Sequence, residues 1–212
     1  MSEIQPYLDE YYIRVGVNPG PRPKRLALAV TDRCNSKCKI CNIWKNPPID
    51  LSLSTIEGVI SSPVLDESGF IILTGGEPFL HPDIGKILEL LQGKNYFLTT
   101  NGILVKKIVD AVRKYQVKEL NLSLDGTPET YYRVRGVDAY KNVMEVIQRL
   151  RGEIYINVYF TLNPWNSRED FIHVKEICER NNLKLFVDIM SPISYIGQTD
   201  YFQNSYQIDD LI

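Results

Sequence analysis

The chain has 212 residues, of which 44% are hydrophobic and 24% charged, with a formal net charge of −2. This fits one globular domain or two small ones, and the weak net charge excludes a general attraction for nucleic acid or anionic membranes. No apolar run approaches the ~20 residues of a membrane span and the start lacks signal-peptide features, so a cytoplasmic location is predicted.

Segments with the pattern of strands alternate along the chain with segments that have the pattern of helices. The six predicted strands are apolar and mostly β-branched, and they cover residues 25–31, 69–76, 95–102, 119–126, 153–163 and 184–190. Helical patterns separate them at residues 54–62, 82–93, 104–115, 139–152 and 167–182. Such strands favour an α/β fold with a parallel sheet covered by helices, either doubly wound or a barrel.

Signals at the helix ends accompany this pattern. Ser54 and Glu57 have the spacing of a capping box, and Ser167 is the expected N-cap of the last helix. We divide the chain into a lead-in (residues 1–24), a core domain (residues 25–190) and a tail (residues 191–212).

Polar and glycine-rich segments follow the strands. The sequence reads TDRCNSKC after the first strand, TGGEP after the second, TTNG after the third, SLDG after the fourth and TLNP after the fifth. Ligands of parallel α/β folds bind beyond the carboxyl ends of the strands. The five segments therefore predict a single site at one edge of the sheet.

Three of the four cysteines, Cys34, Cys38 and Cys41, lie within one short segment. In a reducing compartment such a cluster points to metal binding or redox chemistry. Structural zinc takes four ligands, and the fourth cysteine, Cys178, lies far away in a helical pattern where a buried core residue is expected. Three thiolates suit an iron–sulfur cubane that keeps one iron open, while a three-thiolate zinc site remains an alternative.

The arrangement resembles the core domain of the radical S-adenosylmethionine (SAM) enzymes. Cys34-x3-Cys38-x2-Cys41 is similar to their signature, residues 74–78 to their GGE-type motif, and residues 123–126 to their ribose-contacting strand end. Arg135-Gly136 resembles the segment that follows in the branch of the peptide maturases and the molybdenum-cofactor cyclase. The resemblance covers about residues 25–190 and implies a partial (β/α)6 TIM-like barrel with its helices outside.

The resemblance also implies a chemistry. A [4Fe–4S] cluster on the three cysteines would chelate S-adenosyl-L-methionine at its open iron and cleave it reductively to a 5′-deoxyadenosyl radical, which removes hydrogen from a substrate. The substrate, a small molecule or a peptide, is not identified, and an electron donor such as a ferredoxin or flavodoxin is implied. A paralogue that binds SAM or a cluster without turnover is a second possibility.

Individual residues take roles by this resemblance. Cys34, Cys38 and Cys41 would be the metal ligands, and the expected SAM contacts are Gly75, Gly76, Glu77, Asn101, Ser123, Asp125, Arg135 and Asn163. The glycines would let the backbone approach a ligand, and Glu77 suits the methionyl ammonium. Ser123 and Asp125 suit the ribose hydroxyls, and Arg135, with Arg133 as its rival, suits the methionyl carboxylate. No catalytic residue is assigned.

The sequence departs from the family at two points. Ile40 stands where the family often has an aromatic residue near the adenine, and Trp44 or Tyr132 would have to replace it. Only Cys178 remains as a ligand for a second cluster, which argues against the auxiliary-cluster maturases and against the cyclase.

Overall fold

A computed structural model of the chain describes residues 24–62 and 69–190. The predicted lead-in, apart from its last residue, and the predicted tail lie outside the described residues. The six predicted strands are confirmed as β1 (Arg25–Ala29), β2 (Phe70–Thr74), β3 (Tyr96–Thr100), β4 (Glu119–Ser123), β5 (Tyr155–Leu162) and β6 (Lys184–Ile189). They are up to a few residues shorter than predicted, because the chain turns into loops at the polar residues.

The strands form one parallel sheet in the order β1-β2-β3-β4-β5-β6. Every connection therefore advances by one strand in the same direction. Because crossovers between parallel strands are right-handed, this order places the connecting helices on one face of the sheet. A doubly wound sheet would reverse direction at a switch point. The expected open, partial barrel is thus confirmed.

Six α-helices lie in the described part of the chain: α1 (Leu53–Ile60), α2 (Ile84–Leu90), α3 (Val105–Tyr115), α4 (Pro128–Arg135), α5 (Tyr140–Leu150) and α6 (Arg168–Asn181). Two short 3-10 helices cover Ile43–Lys45 and Pro78–Leu80. Helix α4 was not predicted from the sequence. Its end signals were present: the Thr127 side chain caps the Thr130 amide, Pro128 is in the first turn, and Gly136 ends the helix with φ +67°. The helix is short and mostly polar, so its apolar periodicity is weak.

The predicted capping box at Ser54 and Glu57 was wrong. Helix α1 begins earlier, because the Ser52 side chain accepts a hydrogen bond of 3.1 Å from the Thr55 amide. Ser167 is confirmed as the N-cap of α6, where it forms a capping box with Asp170.

The core lies between the sheet and the helices, and the opposite, concave face of the sheet is partly polar. Fully buried side chains such as Leu98 and Leu122 belong to the same cluster as Ile108 from α3. On the concave face, the Asn157 Nδ2 group donates to Asn121 Oδ1 at 2.8 Å. Strand alternation thus separates an apolar layer from a hydrogen-bonded interior. No helix among the described residues has the length and apolarity needed to cross a membrane.

Candidate functional site

One cavity at the carboxyl edge of the sheet brings the three clustered cysteines together. Cys34, Cys38 and Cys41 line it, and all three are free of disulfide bonds. Five of the eight predicted SAM-contact residues line the same cavity: Gly75, Gly76, Asn101, Ser123 and Arg135. The other three, Glu77, Asp125 and Asn163, are buried and do not line it. The loops after β1, β2, β3 and β4 thus contribute to a common site.

A larger cavity of about 1130 Å³ lies at the opposite edge of the sheet, at the amino ends of β4, β5 and β6. It contains none of the residues that the sequence analysis singled out. In barrels of this kind the chemistry lies at the carboxyl edge, so we place the functional site at the cysteines despite the difference in size.

The loop that carries the thiols (the cysteine loop, residues 31–42) is bound to the loop after β2 (the GGE loop, residues 75–77). The Gly76 amide donates to the Thr31 carbonyl at 2.6 Å, and the Glu77 amide donates to the Arg33 carbonyl at 2.7 Å. A Cβ atom at Gly76 would lie 2.3 Å from the Arg33 carbonyl oxygen, and one at Gly75 would lie 2.5 Å from that of Thr31. Contact with the cysteine loop therefore requires both glycines, independently of any ligand.

We expect Gly76→Ala to destabilise the protein and to reduce its iron content. The new methyl group would overlap backbone atoms of Arg33 and Asp32, which cannot rotate away, and such overpacking costs about 1–3 kcal/mol. The free energy of unfolding of metal-free protein and the iron bound after reconstitution measure the two effects.

Gly58→Ala is the matched control for that substitution. Gly58 lies in α1, and a Cβ atom there would meet nothing within 4 Å. Because alanine is the better helix former, this variant should be as stable as the original or more so. Equal stability of the two alanine variants would contradict the steric argument.

Helix α4 holds the cysteine loop from the other side. The Lys37 amide donates to the Arg135 carbonyl at 3.0 Å, and the Lys39 amide donates to the Val134 carbonyl at 2.8 Å. The Ser36 hydroxyl also donates to the Arg135 carbonyl and lies 3.1 Å from Cys38 Sγ. Ser36 was not predicted from the sequence, although its position between Cys34 and Cys38 was a signal. The last turn of α4 thus positions the middle of the loop.

The Arg135 side chain lies beside the thiols and is paired with Asp125. Its Nη2 atom is 2.5 Å from Asp125 Oδ2, and its Nη1 atom is 3.7 Å from Cys38 Sγ. The other Asp125 oxygen accepts a hydrogen bond of 2.8 Å from the Thr161 amide. Both charged side chains are buried. Arg133, the rival candidate, lies on the surface and donates to Thr130 and to the Trp165 carbonyl, so Arg135 is the arginine of the cavity.

Burial disfavours the thiolate forms of Cys34 and Cys41. Desolvation raises the pKa of Cys34 to about 11 and also raises the pKa of Cys41. Metal binding requires the thiolate form, so a bound metal displaces the thiol protons. Loading of the site should therefore release protons.

Glu77 is fully buried and holds the ends of β2 and β3 together. Its Oε1 atom accepts hydrogen bonds from the Phe79 amide at 3.2 Å and the Thr100 hydroxyl at 2.8 Å, and its Oε2 atom accepts one from the Asn101 amide at 2.8 Å. Burial raises the pKa of Glu77 to about 7, although these donors favour the carboxylate. Its contact with a methionyl ammonium stays a prediction.

We expect Glu77→Gln to destabilise the protein by about 1–3 kcal/mol, since the glutamine NH2 group would face an amide donor and leave a buried hydrogen bond unmade. Denaturant unfolding of metal-free protein measures this change. Glu57→Gln, on the exposed face of α1, is the control and should leave stability unchanged. A Glu77→Gln protein as stable as its control would show that the buried carboxylate is dispensable for the fold.

The remaining predicted residues take different positions. Asn101 Nδ2 donates to Asn35 Oδ1 at 2.8 Å and lies 3.9 Å from Cys34 Sγ, so it belongs to the wall of the site. Asn163 bonds within its own turn: its Nδ2 donates to the Thr161 carbonyl, and its Oδ1 accepts from the Trp165 amide. A ligand role for Asn163 stays a prediction.

Trp44 is the aromatic residue that lines the cavity, and its indole nitrogen donates to the Cys38 carbonyl at 3.3 Å. Tyr132, the other candidate for the missing aromatic position, is 59% exposed on α4. An apolar wall next to Cys38 is therefore provided by Trp44.

The donor set fits an iron–sulfur cluster with an anionic ligand. Three free thiols lie beside a buried cation, and the Nε atom of Arg135 is a buried donor without a hydrogen-bond acceptor among the described residues. Within residues 24–62 and 69–190, no three side chains of His, Cys, Asp or Glu converge as ligands of a single metal ion. In a cubane, by contrast, the thiolates bind different irons.

Comparisons with known proteins place the chain in a family. The family model of the radical SAM superfamily matches residues 28–176. A curated relative is the GTP 3′,8-cyclase of Mannheimia succiniciproducens, which is 30% identical over 200 residues. The alignment covers 88% of this chain and 58% of the cyclase, so the chain spans little more than half of that relative.

Solved structures share the fold. SuiB of Streptococcus suis bound to S-adenosylmethionine superimposes with a TM-score of 0.73 at 17% identity, over 98% of this chain and 49% of SuiB. The anSMEcpe structure with bound AdoMet gives a TM-score of 0.65 at 19% identity, over 81% of this chain and 50% of anSMEcpe. At these identities the likeness concerns the fold alone.

Proposed function

Because this chain belongs to the radical SAM superfamily, we propose that it cleaves S-adenosylmethionine reductively at a [4Fe–4S] cluster and thereby removes a hydrogen atom from a substrate. The observation that carries the proposal is the convergence of Cys34, Cys38 and Cys41 with the GGE loop and Arg135 on one cavity. A structural metal module has no need of the last two features.

Within this proposal each residue has a defined task. Cys34, Cys38 and Cys41 would hold the cluster, and Gly75, Ser123 and Arg135 line the space left for SAM. When bound, the cluster supplies one electron that cleaves SAM to methionine and a hydrogen-abstracting 5′-deoxyadenosyl group, chemistry that belongs to the cofactors.

The side chains around the cavity would position SAM and shield Cys38. Arg135 places a fixed positive charge next to Cys38, where it would offset the negative charge of a thiolate. Its Nε–H group, which has no acceptor among the described residues, would donate to the methionyl carboxylate of SAM. Asp125 orients that guanidinium by an ion pair, and the Thr161 amide in turn fixes Asp125. Trp44 closes the wall beside Cys38 with an apolar surface, which would limit the access of water to that thiol.

Anaerobic reconstitution tests the proposal. We expect about four irons per chain, as a cubane requires, and formation of 5′-deoxyadenosine from SAM in the presence of dithionite. Zinc without iron would support a structural metal module instead. A cluster that binds SAM but yields no 5′-deoxyadenosine would support a paralogue without turnover, and either result would overturn the proposal.

GTP is the candidate substrate. The alignment with the GTP 3′,8-cyclase, which covers 88% of this chain at 30% identity, favours it. Within these 212 residues Cys178 is buried in α6 and belongs to the core cluster, so it provides no ligand for a second metal centre. The test is to add GTP to the reconstituted chain with SAM and dithionite. Faster release of 5′-deoxyadenosine and consumption of GTP would support this substrate, and GTP that changes neither quantity would exclude it.

A further inference from the structure

From Arg33 onward, the cysteine loop and the residues that follow it to Asn46 carry only positive charge, while Asp32 lies at the start of the loop. Residues 33–46 contain four basic side chains and no acidic one. Arg33 is held by Asp50, with 2.9 Å between Nε and Oδ2. Lys37, Lys39 and Lys45 are exposed, and none of them forms an ion pair with another described residue. Three ammonium groups therefore face solvent around a segment whose thiols face inward.

Helix α4 extends this surface. Arg133 is exposed, and its guanidinium donates to the Trp165 carbonyl. Lys39 Nζ lies over the ring of the same tryptophan, 5.4 Å from its centre. We name the group of Lys37, Lys39, Lys45 and Arg133 the basic rim. Lys37 and Lys39 adjoin Arg133 in this group, because their backbone is hydrogen-bonded to the last turn of α4.

The basic rim adjoins the cavity wall. Lys37 and Lys39 flank the buried Cys38 in the chain. Lys45 Nζ lies 5.3 Å from the centre of the Trp44 ring, and the same tryptophan lines the cavity and donates to the Cys38 carbonyl. An electron carrier seated on the rim would therefore be separated from the thiols by little more than the cysteine loop and Trp44.

We propose that the basic rim is the docking surface for a small acidic electron-transfer protein of the ferredoxin class. The inference rests on the proposed function, which requires one electron from outside the chain. In this step reduced ferredoxin loses one electron and is oxidised, the thiolate-bound cluster gains that electron, and no bond or proton is exchanged. Since the whole chain has a net charge of −2, attraction of an acidic partner must come from a local patch such as this one. Transient electron-transfer contacts are small and electrostatically steered, which suits four charges around one loop.

Charge reversal tests the docking surface. The test variant is Lys37→Glu/Lys39→Glu/Lys45→Glu, and the control is Lys94→Glu/Lys118→Glu/Lys184→Glu. The control makes the same change in net charge at exposed lysines near the amino ends of β3, β4 and β6. The first readout is the binding of an acidic [2Fe–2S] ferredoxin to the metal-free full chain at several ionic strengths. The second is 5′-deoxyadenosine formation by reconstituted protein, driven either by pre-reduced ferredoxin or by dithionite.

At low salt we expect the rim variant to associate with ferredoxin more slowly by a factor of about ten or more. Its association rate should also depend less on the salt concentration. Its rate of 5′-deoxyadenosine formation with ferredoxin should fall, while its rate with dithionite should match that of the unaltered chain. The control variant should resemble the unaltered chain in every readout.

Three results would overturn the docking surface: unchanged ferredoxin binding by the rim variant, an equal loss in the control, or a loss of dithionite-driven turnover in the rim variant alone. The last result would assign the rim to SAM or to a substrate. Absence of 5′-deoxyadenosine from the unaltered chain with dithionite would instead contradict the proposed function, and the binding measurement on metal-free protein would still decide the docking surface.

Discussion

Replacing Cys38 by alanine is expected to abolish cluster assembly and SAM cleavage. Cys38 is the most deeply buried of the three clustered thiols, and it lies beside Arg135 and the Ser36 hydroxyl. Replacing a residue that only orients a metal ligand lowers metal affinity or activity by up to about 100-fold. Replacing the metal ligand itself should lower them further. Iron and sulfide analysis and the yield of 5′-deoxyadenosine measure the effect. The Cys34→Ala and Cys41→Ala variants should show the same losses as Cys38→Ala.

Cys178→Ala is the control for this prediction, because the chain offers one more buried thiol outside the site. Cys178 is packed in the core between α6 and the sheet, and burial raises its pKa to about 11. The variant should bind iron and form 5′-deoxyadenosine like the unaltered chain. If the Cys38 and Cys178 variants lost iron to the same extent, the ligand assignment would fail.

Asp125→Asn is expected to produce a large loss of stability, about 3 kcal/mol, since removing one partner leaves the buried Arg135 cation without its counter-charge. The asparagine side chain can still accept the hydrogen bond from the Thr161 amide, so the change isolates the charge. Denaturant unfolding of metal-free protein measures it. The exposed pair of Arg113 and Glu153 provides the control, and Glu153→Gln should not change stability measurably.

A second variant separates stability from ligand binding. Asp125→Asn/Arg135→Met removes both charges, and a buried pair replaced by an apolar side chain is often no less stable than the original. We expect the double variant to regain much of the lost stability but to bind SAM weakly, because the guanidinium beside the cavity is gone. A double variant as unstable as Asp125→Asn would contradict the ion-pair explanation.

The sequence allowed the fold to be predicted because each strand is a compact apolar run that ends at a polar loop. The cysteine spacing likewise indicated where the candidate site lies, because the three thiols are close together along the chain and line one cavity. Helix α4 was missed because its side chains are mostly polar, and its packing on the cysteine loop joins residues about one hundred positions apart. No local pattern encodes such a contact.

The roles of particular residues were harder to predict than their location. Gly75 and Gly76 were assigned to close approach by a ligand, whereas the structure shows that the cysteine loop itself fills the space next to them. The partners of Glu77 and Asp125 lie on neighbouring strands, so their burial becomes visible only when the sheet is assembled. For Arg135 the family motif indicated the position, and the structure added its ion pair with Asp125.

The attachment of the cysteine loop on both sides affects how the protein should respond to oxygen. Main-chain hydrogen bonds to the GGE loop on one side and to the last turn of α4 on the other hold the cysteine loop without the help of any metal–thiolate bond, whereas zinc fingers are unfolded without their ion. Loss of a cluster through oxidation should therefore leave the cysteine loop folded, so that a new cluster can be assembled on the same polypeptide.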